Sequence, residues 1–257
     1  KEVEGNSNGT INKALSPIFK AVKVCCRKGW ISREECEEIC EMYLNAEGKS
    51  FDGSIEKECL TIEQLKKLKE LAGKAKYERT REFADMFLFS SFTGLRVSDL
   101  VSLKWSEVDM DKGMISHMQY KGHTRNAKML YIPLNETSRE ILERWKDKHE
   151  EFVFGLLPSG YDLSDEAAFK KMKGAKTRTI NQSLRSIGDK MGLPFNLHIH
   201  LGRHTFSMMA LNGGVNIKTT SSMLGHASTM VTEKVYATLL PNTIAEDVGD
   251  KLNIKLG

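Results

Sequence analysis

The sequence lacks any apolar run near the roughly 18 residues that a membrane-spanning helix needs. Its first ten residues are mostly charged or polar, so it also lacks the pattern of a secretory signal peptide. It contains neither internal repeats nor low-complexity stretches. At 257 residues, 40% of them apolar and 28% charged, it predicts a globular protein of one large or two small domains. Because it begins with Lys1 rather than Met, we expect a fragment of a longer protein.

Cysteine is absent after the first quarter of the chain. The five cysteines are Cys25, Cys26, Cys36, Cys40 and Cys59. Their spacing matches no zinc-binding template and no histidine lies near them, so we expect no metal site. An odd number of cysteines without a secretory signal is typical of reduced thiols in a cytoplasmic protein.

Net charge is small, at +4, but it is unevenly distributed. Residues 1–60 hold 9 basic and 11 acidic side chains, whereas residues 61–257 hold 29 and 23. A dense basic run lies in the second part, and its members are Lys170, Lys171, Lys173, Lys176 and Arg178. Such a run can be an ordinary solvated loop, or it can neutralise the phosphates of a nucleic acid. In the second case, binding weakens steeply with salt.

Apolar residues at helical spacing dominate the chain. They predict helices at 11–28, 32–44, 80–91 and 134–149, and further helices that begin at 61 and near 98. The helix at 61 opens with the capping-box pattern Thr61-Ile62-Glu63-Gln64. Another helix is predicted from about 179 to 192, and the chain from there to about 240 is predicted to be helical with breaks at 213–214 and 225. Residues 113–121 and 128–133 predict a hairpin, and 152–154 a short strand. The expected fold is mainly α with a small antiparallel sheet.

Side chains suited to breaking a phosphodiester lie within 37 residues near the end of the sequence. The motifs are His200-Leu201-Gly202-Arg203, Leu224-Gly225-His226 and Thr232-Glu233-Lys234-Val235-Tyr236, with a second arginine upstream in Thr93-Gly94-Leu95-Arg96-Val97-Ser98-Asp99-Leu100. The planar forks of two arginines can bind the equatorial oxygens of a pentacovalent phosphorus. A phenol with a pKa near ~10 needs such a cationic site to act as a nucleophile.

The ordered set, an Arg box, a hairpin Lys, His-x-x-Arg, Leu-Gly-His and Tyr, resembles the tyrosine recombinase (phage integrase) family over roughly residues 60–240. The resemblance implies that Arg96 and Arg203 bind the scissile phosphate. It implies that Tyr236 attacks phosphorus to form a 3′-phosphotyrosine, without metal, ATP or other cofactor. His200 is then a general acid or base, and His226 donates a hydrogen bond to the phosphate. Asp99 orients Arg96 or caps its helix.

The hairpin general acid has three candidates. Counting from Gly113 favours Lys121, our first choice, whereas counting back from residues 132–134 favours Arg125 because this hairpin is about four residues longer than usual. Lys128 is the third.

Two features depart from the family pattern. His226 and Tyr236 are ten residues apart where nine is common, and Gly202 replaces the usual Leu before Arg203. Of the neighbouring histidines, His204 matches a structural position and His198 falls outside the pattern.

By resemblance, residues 1–46 are part of a helical core-binding domain, 47–60 a linker and 61–257 the catalytic domain. The implied partners are double-stranded DNA with specific attachment sites, accessory DNA-bending proteins, and three further copies in a tetramer joined through segment 243–257. The expected function is integration or excision of a mobile element, at the nucleoid in the bacterial cytoplasm. Alternatives are chromosome-dimer resolution, a relaxing topoisomerase of the 3′-phosphotyrosine type, and a catalytically silent DNA-binding regulator.

Overall fold

The computed structural model describes residues 8–46, 58–120 and 128–225, with side chains described for 15–39, 58–120 and 128–225. The chain divides into two compact units, Lys1–Ile55 and Glu56–Gly257. Within the described residues, the first unit holds helices α1 (Asn8–Arg27) and α2 (Arg33–Ala46), which contact each other. Ser32 and Glu35 begin α2 with reciprocal bonds between side chain and backbone, at 3.0 and 2.7 Å. The identity of this unit as a core-binding domain stays a prediction.

The second unit is mainly helical, as expected. Its described helices are α3 (Ile62–Gly73), α4 (Glu78–Thr93), α5 (Val97–Ser102), α6 (Glu136–Trp145), α7 (Glu166–Met191), α8 (Ile199–Asn212) and α9 (Ile217–Leu224). Three antiparallel strands, β1 (Val108–Asp109), β2 (Met114–Met118) and β3 (Met129–Pro133), form a sheet in that order. The capping box predicted at Thr61 begins α3, and the mainly α fold with a small antiparallel sheet is confirmed.

Helix α4 lies at the centre of this unit. Its residues from Glu82 to Ser91 are all buried, and it contacts α3, α6, α7 and α8. Gly202 lets α8 approach α4 closely, since a Cβ at this position would lie 2.9 Å from the backbone oxygen of Phe87. This close approach explains why a glycine occupies the position before Arg203.

The sheet buries one face by simple alternation. Ile115 and His117 of β2 are buried and pair with Ile132 and Leu130 of β3. The same alternation continues to Gln119, which is buried beyond the end of β2. Strand β1, with two residues, was too short for the sequence pattern to predict.

The prediction that a helix begins near Thr179 is wrong, because α7 begins at Glu166. The Asp165 side chain accepts the Ala168 N–H at 2.9 Å, which caps this end, and the lysine and alanine residues that follow are good helix formers. The basic run therefore lies on a helix and not in a loop. Residues 152–154 form only an isolated bridge, between Phe152 and Lys104.

No helix in the described part of the chain is both long and apolar enough to cross a membrane.

Candidate active site

Arg203 is the buried cation at the centre of the candidate site. It lies on α8 and is only 5% exposed. Its Nη1 donates to the Gly94 carbonyl oxygen and its Nη2 to the Leu224 carbonyl oxygen, both at 2.7 Å. Burial, together with repulsion from Arg96, lowers the pKa of Arg203 to about 9, so the guanidinium keeps its charge at neutral pH. Two carbonyls from distant parts of the chain thus hold a charged fork in one orientation.

Arg96 lies beside this group, at the N-terminus of α5. It follows Gly94 by two residues and is half-buried, and its charge contributes to the lowered pKa of Arg203. Its backbone N–H donates to the Asp99 carboxylate at 3.4 Å, while its carbonyl accepts the first helical bond from Leu100. The two predicted arginines are therefore neighbours, although they are 107 residues apart in sequence.

Asp99 lies beneath Arg96, fully buried, and joins α5 to the end of the hairpin. One carboxylate oxygen accepts the Arg96 N–H and the other accepts the Tyr120 N–H at 3.0 Å. Burial alone would raise the pKa of Asp99, but His117, the Tyr120 N–H and the charge of Arg96 together lower it. Asp99 thus caps the N-terminus of α5.

A buried histidine that sequence reasoning missed compensates this charge. His117 Nδ1 lies 2.9 Å from Glu107 Oε1, and Nε2 lies 3.7 Å from Asp99 Oδ1. Burial would lower the pKa of His117, but the two carboxylates outweigh it and raise the pKa to about 9. At neutral pH the ring is an imidazolium between two acids. The sequence signal for this residue was the alternation of β2, which places His117 on the same buried face as Ile115.

Gln119 is a second residue that sequence reasoning missed. It is 6% exposed, and its Nε2 lies 3.3 Å from each of the carbonyl oxygens of Leu224 and Gly225. Gly225 ends α9 with φ +59°, and a Cβ there would lie 1.8 Å from Gln119 Nε2. The left-handed turn therefore favours glycine at this position of the Leu-Gly-His motif, and the Gln119 amide packs against it.

The histidines near Arg203 differ in their surroundings. His200 lies on α8 one turn before Arg203 and is exposed, and its ring meets that of His204 edge-on, with centroids 4.7 Å apart. His198 precedes the helix, and burial lowers its pKa although Glu58 opposes this. The ring of His200 is thus open to solvent.

The basic run lies on the first half of α7. Lys170, Lys171 and Arg178 are exposed, whereas Lys173 and Lys176 are half-buried. Tyr120 connects this helix to the hairpin, because its ring lies 3.7 Å, centroid to centroid, from that of Phe169.

Four candidate residues of the site, Lys121, Arg125, His226 and Tyr236, lie outside the described residues, as does segment 243–257. Lys128 is within them, directly before β3, where its carbonyl accepts the Gln119 N–H at 3.0 Å. Within the described ranges, no group of three or more His, Cys, Asp or Glu side chains is arranged to hold a metal ion.

A model of the family described as "Phage integrase family" matches residues 58–242. Tyrosine recombinase XerC of Roseiflexus castenholzii (strain DSM 13941 / HLO8) is 30% identical over 232 residues, covering 88% of this chain and 67% of that protein. Tyrosine recombinase XerC of Bacillus pumilus (strain SAFR-032) is 29% identical over 143 residues, 55% of this chain and 44% of that protein. For this relative and those from Caldanaerobacter subterraneus and Roseiflexus sp., the chain spans about half of the relative's length, from 44 to 64%.

A solved structure of the Tn1549 transposon integrase in complex with circular intermediate DNA has a TM-score of 0.61 to this chain. The two are 18% identical, and the match covers 95% of this chain and 80% of that one. At this identity the likeness shows the fold. Since the family model covers well over half of its 257 residues, the chain belongs to the phage integrase family of tyrosine recombinases.

Proposed function

We propose that this chain is a site-specific DNA recombinase that cuts and rejoins DNA through a 3′-phosphotyrosine formed by Tyr236. The observation that carries the proposal is the arginine pair. Arg203 is held by two carbonyls at 2.7 Å, next to Arg96, in a buried setting. These bonds use two of the five guanidinium N–H donors and leave the others for an anionic ligand.

The arginine pair suits a phosphoryl group whose charge grows during reaction. A pentacovalent phosphorus carries more negative charge on its equatorial oxygens than the starting diester, so donors fixed in advance stabilise it selectively. The two carbonyls hold the Arg203 guanidinium by bonds that need no ligand, and Asp99 accepts the backbone N–H of Arg96. The Arg203 fork is therefore oriented before DNA binds.

The remaining roles follow the family pattern. The Tyr236 phenolate attacks phosphorus, the bond to the 5′ oxygen breaks, and that oxygen takes a proton from Lys121 to leave as a hydroxyl. His200 accepts the phenol proton and His226 donates a hydrogen bond to the phosphate. Rejoining reverses these steps on another strand, and because the phosphotyrosine keeps the energy of the diester, no ATP is needed.

The substrate we propose is double-stranded DNA at a specific attachment site. The exposed basic residues of α7 and the charge balance of residues 61–257, 29 basic against 23 acidic, support phosphate contacts. The Tn1549 and lambda integrases were solved with DNA bound. We further propose a tetramer joined through segment 243–257, acting at the nucleoid of a bacterium with accessory DNA-bending proteins.

Integration or excision of a mobile element is the biological role that we propose first, supported by the likeness to the transposon and lambda integrases. The second candidate is chromosome-dimer resolution, since several relatives are named XerC. Relaxase or phage genes next to the coding sequence favour the first role, and a solitary position near replication genes favours the second.

Covalent trapping tests the proposal. Wild-type protein is incubated with a pool of nicked suicide duplexes that have a randomised core, and covalent adducts are isolated and sequenced. We expect an EDTA-resistant adduct at a defined sequence that Tyr236→Phe abolishes. No wild-type adduct from any sequence would indicate a silent DNA-binding regulator. An adduct without sequence preference, and without recombinant products from two labelled duplexes, would indicate a topoisomerase.

A further inference from the structure

Gln119 occupies a buried position between the hairpin and the end of α9. Its backbone N–H extends the sheet by donating to the Lys128 carbonyl at 3.0 Å. Its side-chain Nε2 lies 3.3 Å from the carbonyl oxygens of both Leu224 and Gly225. These carbonyls belong to the last turn of a helix, where backbone oxygens have no partner within the helix itself. The Gln119 amide therefore donates to carbonyl oxygens that have no partner within α9.

The Leu224 carbonyl oxygen accepts from two side chains. Arg203 Nη2 donates to it at 2.7 Å, and Gln119 Nε2 approaches it at 3.3 Å. Arg203 Nη1 donates to the Gly94 oxygen, so the plane of the guanidinium is set by where the two carbonyls lie. The Gly94 carbonyl is fixed by the turn between α4 and α5. The Leu224 carbonyl depends on the end of α9, which Gln119 holds.

The chemistry of an amide suits this position. A carboxylate so close to Arg203 would pair with the guanidinium and compete with an anionic ligand. A cation would add to the repulsion that already lowers the pKa of Arg203. A neutral amide binds the two carbonyls and leaves the charge of the guanidinium available.

We propose that Gln119 is a positioning residue for strand cleavage, which acts by holding the Leu224 carbonyl oxygen and, through it, the Arg203 guanidinium. This inference rests on the proposed function. Tyr120, the residue after Gln119, adds a second bond from the hairpin, because its N–H donates to Asp99, which also accepts the Arg96 N–H. The end of the hairpin is thus bonded both to the Leu224 carbonyl, which accepts from Arg203, and to Asp99, which caps the backbone at Arg96.

The test uses the whole chain and a nicked duplex that wild-type protein selects from the randomised pool. Gln119→Met keeps the length and bulk of the side chain but removes the amide. We expect the single-turnover rate of adduct formation at saturating DNA to fall by about 10- to 100-fold, as small misplacements of catalytic groups do. The Kd for the duplex should change less than about threefold, because the charge of Arg203 remains.

The matched control is Gln64→Met, which removes an amide that accepts the Thr61 N–H at 2.9 Å in the capping box of α3. It costs stability without touching the site, so its cleavage rate should stay within about twofold of wild type. Equal cleavage losses in the two variants would mean that Gln119 is only structural, and the inference would be wrong.

Two further measurements test whether Gln119 acts by positioning Arg203. In an Arg203→Lys background, Gln119→Met should have little additional effect, because the two changes disrupt the same hydrogen-bonded unit. Gln119→Glu donates to the carbonyls only when protonated, so its adduct rate, relative to wild type, should rise as pH falls. Additive losses, or a flat relative rate for Gln119→Glu, would overturn the inference. Failure of wild-type protein to form any adduct contradicts the proposed function instead.

Discussion

Replacing His117 by glutamine removes a buried positive charge while keeping a polar side chain of similar size. In the wild-type protein the ring is 3% exposed, and the Asp99 and Glu107 carboxylates flank it. The variant leaves two acids facing a neutral amide. We expect it to be less stable than wild type near neutral pH, by an amount that depends on pH.

The magnitude follows from the pKa of His117. The ordinary value of 6.5 is raised to about 9 in the folded protein. At about 1.4 kcal/mol per unit, the charged ring contributes about 3 kcal/mol to stability below pH 6.5. Because the folded pKa is the higher one, this contribution falls to about 2 kcal/mol near pH 7.5 and disappears as pH rises through 9.

The assay is urea unfolding of wild type and His117→Gln at several pH values between about 6 and 10. Groups other than His117 and the two carboxylates that it contacts are common to both proteins, so the difference in unfolding free energy reports on this cluster. We expect that difference to shrink by about 3 kcal/mol from pH 6 to pH 10. His198→Gln is the matched control. Burial lowers the pKa of His198 below its ordinary value, so the difference for this variant should stay constant well above neutral pH.

A difference for His117→Gln that is constant or grows with pH would refute this reasoning. A direct reading is available from the NMR titration of the imidazole carbon. A midpoint at or below about 6.5 would mean that burial outweighs the two carboxylates.

Three more outcomes test other parts of the structure. Gly94→Ala should lower the unfolding free energy, measured by urea unfolding, by about 2 kcal/mol or more, since φ at Gly94 is +72° and a Cβ there would lie 2.7 Å from a phenylalanine ring. A loss under about 0.5 kcal/mol would contradict the turn geometry. Asp85→Ala should lower the unfolding free energy by about 2–4 kcal/mol, because the buried carboxylate accepts two 2.8 Å hydrogen bonds from Arg144. A variant with the thermal stability of wild type would contradict this. Lys170→Ala with Lys171→Ala should reduce the slope of log binding constant against log salt by about 1 for each DNA phosphate that is no longer neutralised, and an unchanged slope would exclude both lysines from the DNA interface.

Local sequence patterns predicted the parts of the fold that depend on neighbours in the chain. The capping box at Thr61 and the break at Gly94 rest on interactions within a few residues, and the hairpin strands pair two segments that are adjacent in the chain. The start of α7 was missed because several lysines in succession suggested a solvated loop. Its cap at Asp165 was visible in the sequence, and so was the helix propensity of the residues that follow.

The order and residue types of the motifs predicted, without coordinates, that two arginines, a histidine and a tyrosine belong to one chemistry. Only the tertiary structure decided what holds Arg203. The carbonyls of Gly94 and Leu224, 130 residues apart, meet at Arg203, and Gln119 and His117 support the same region from the hairpin. Motifs record the side chains that react, because those must be of one type. The backbone oxygens and buried partners that orient them depend on packing between distant segments, and packing leaves no local pattern in the sequence.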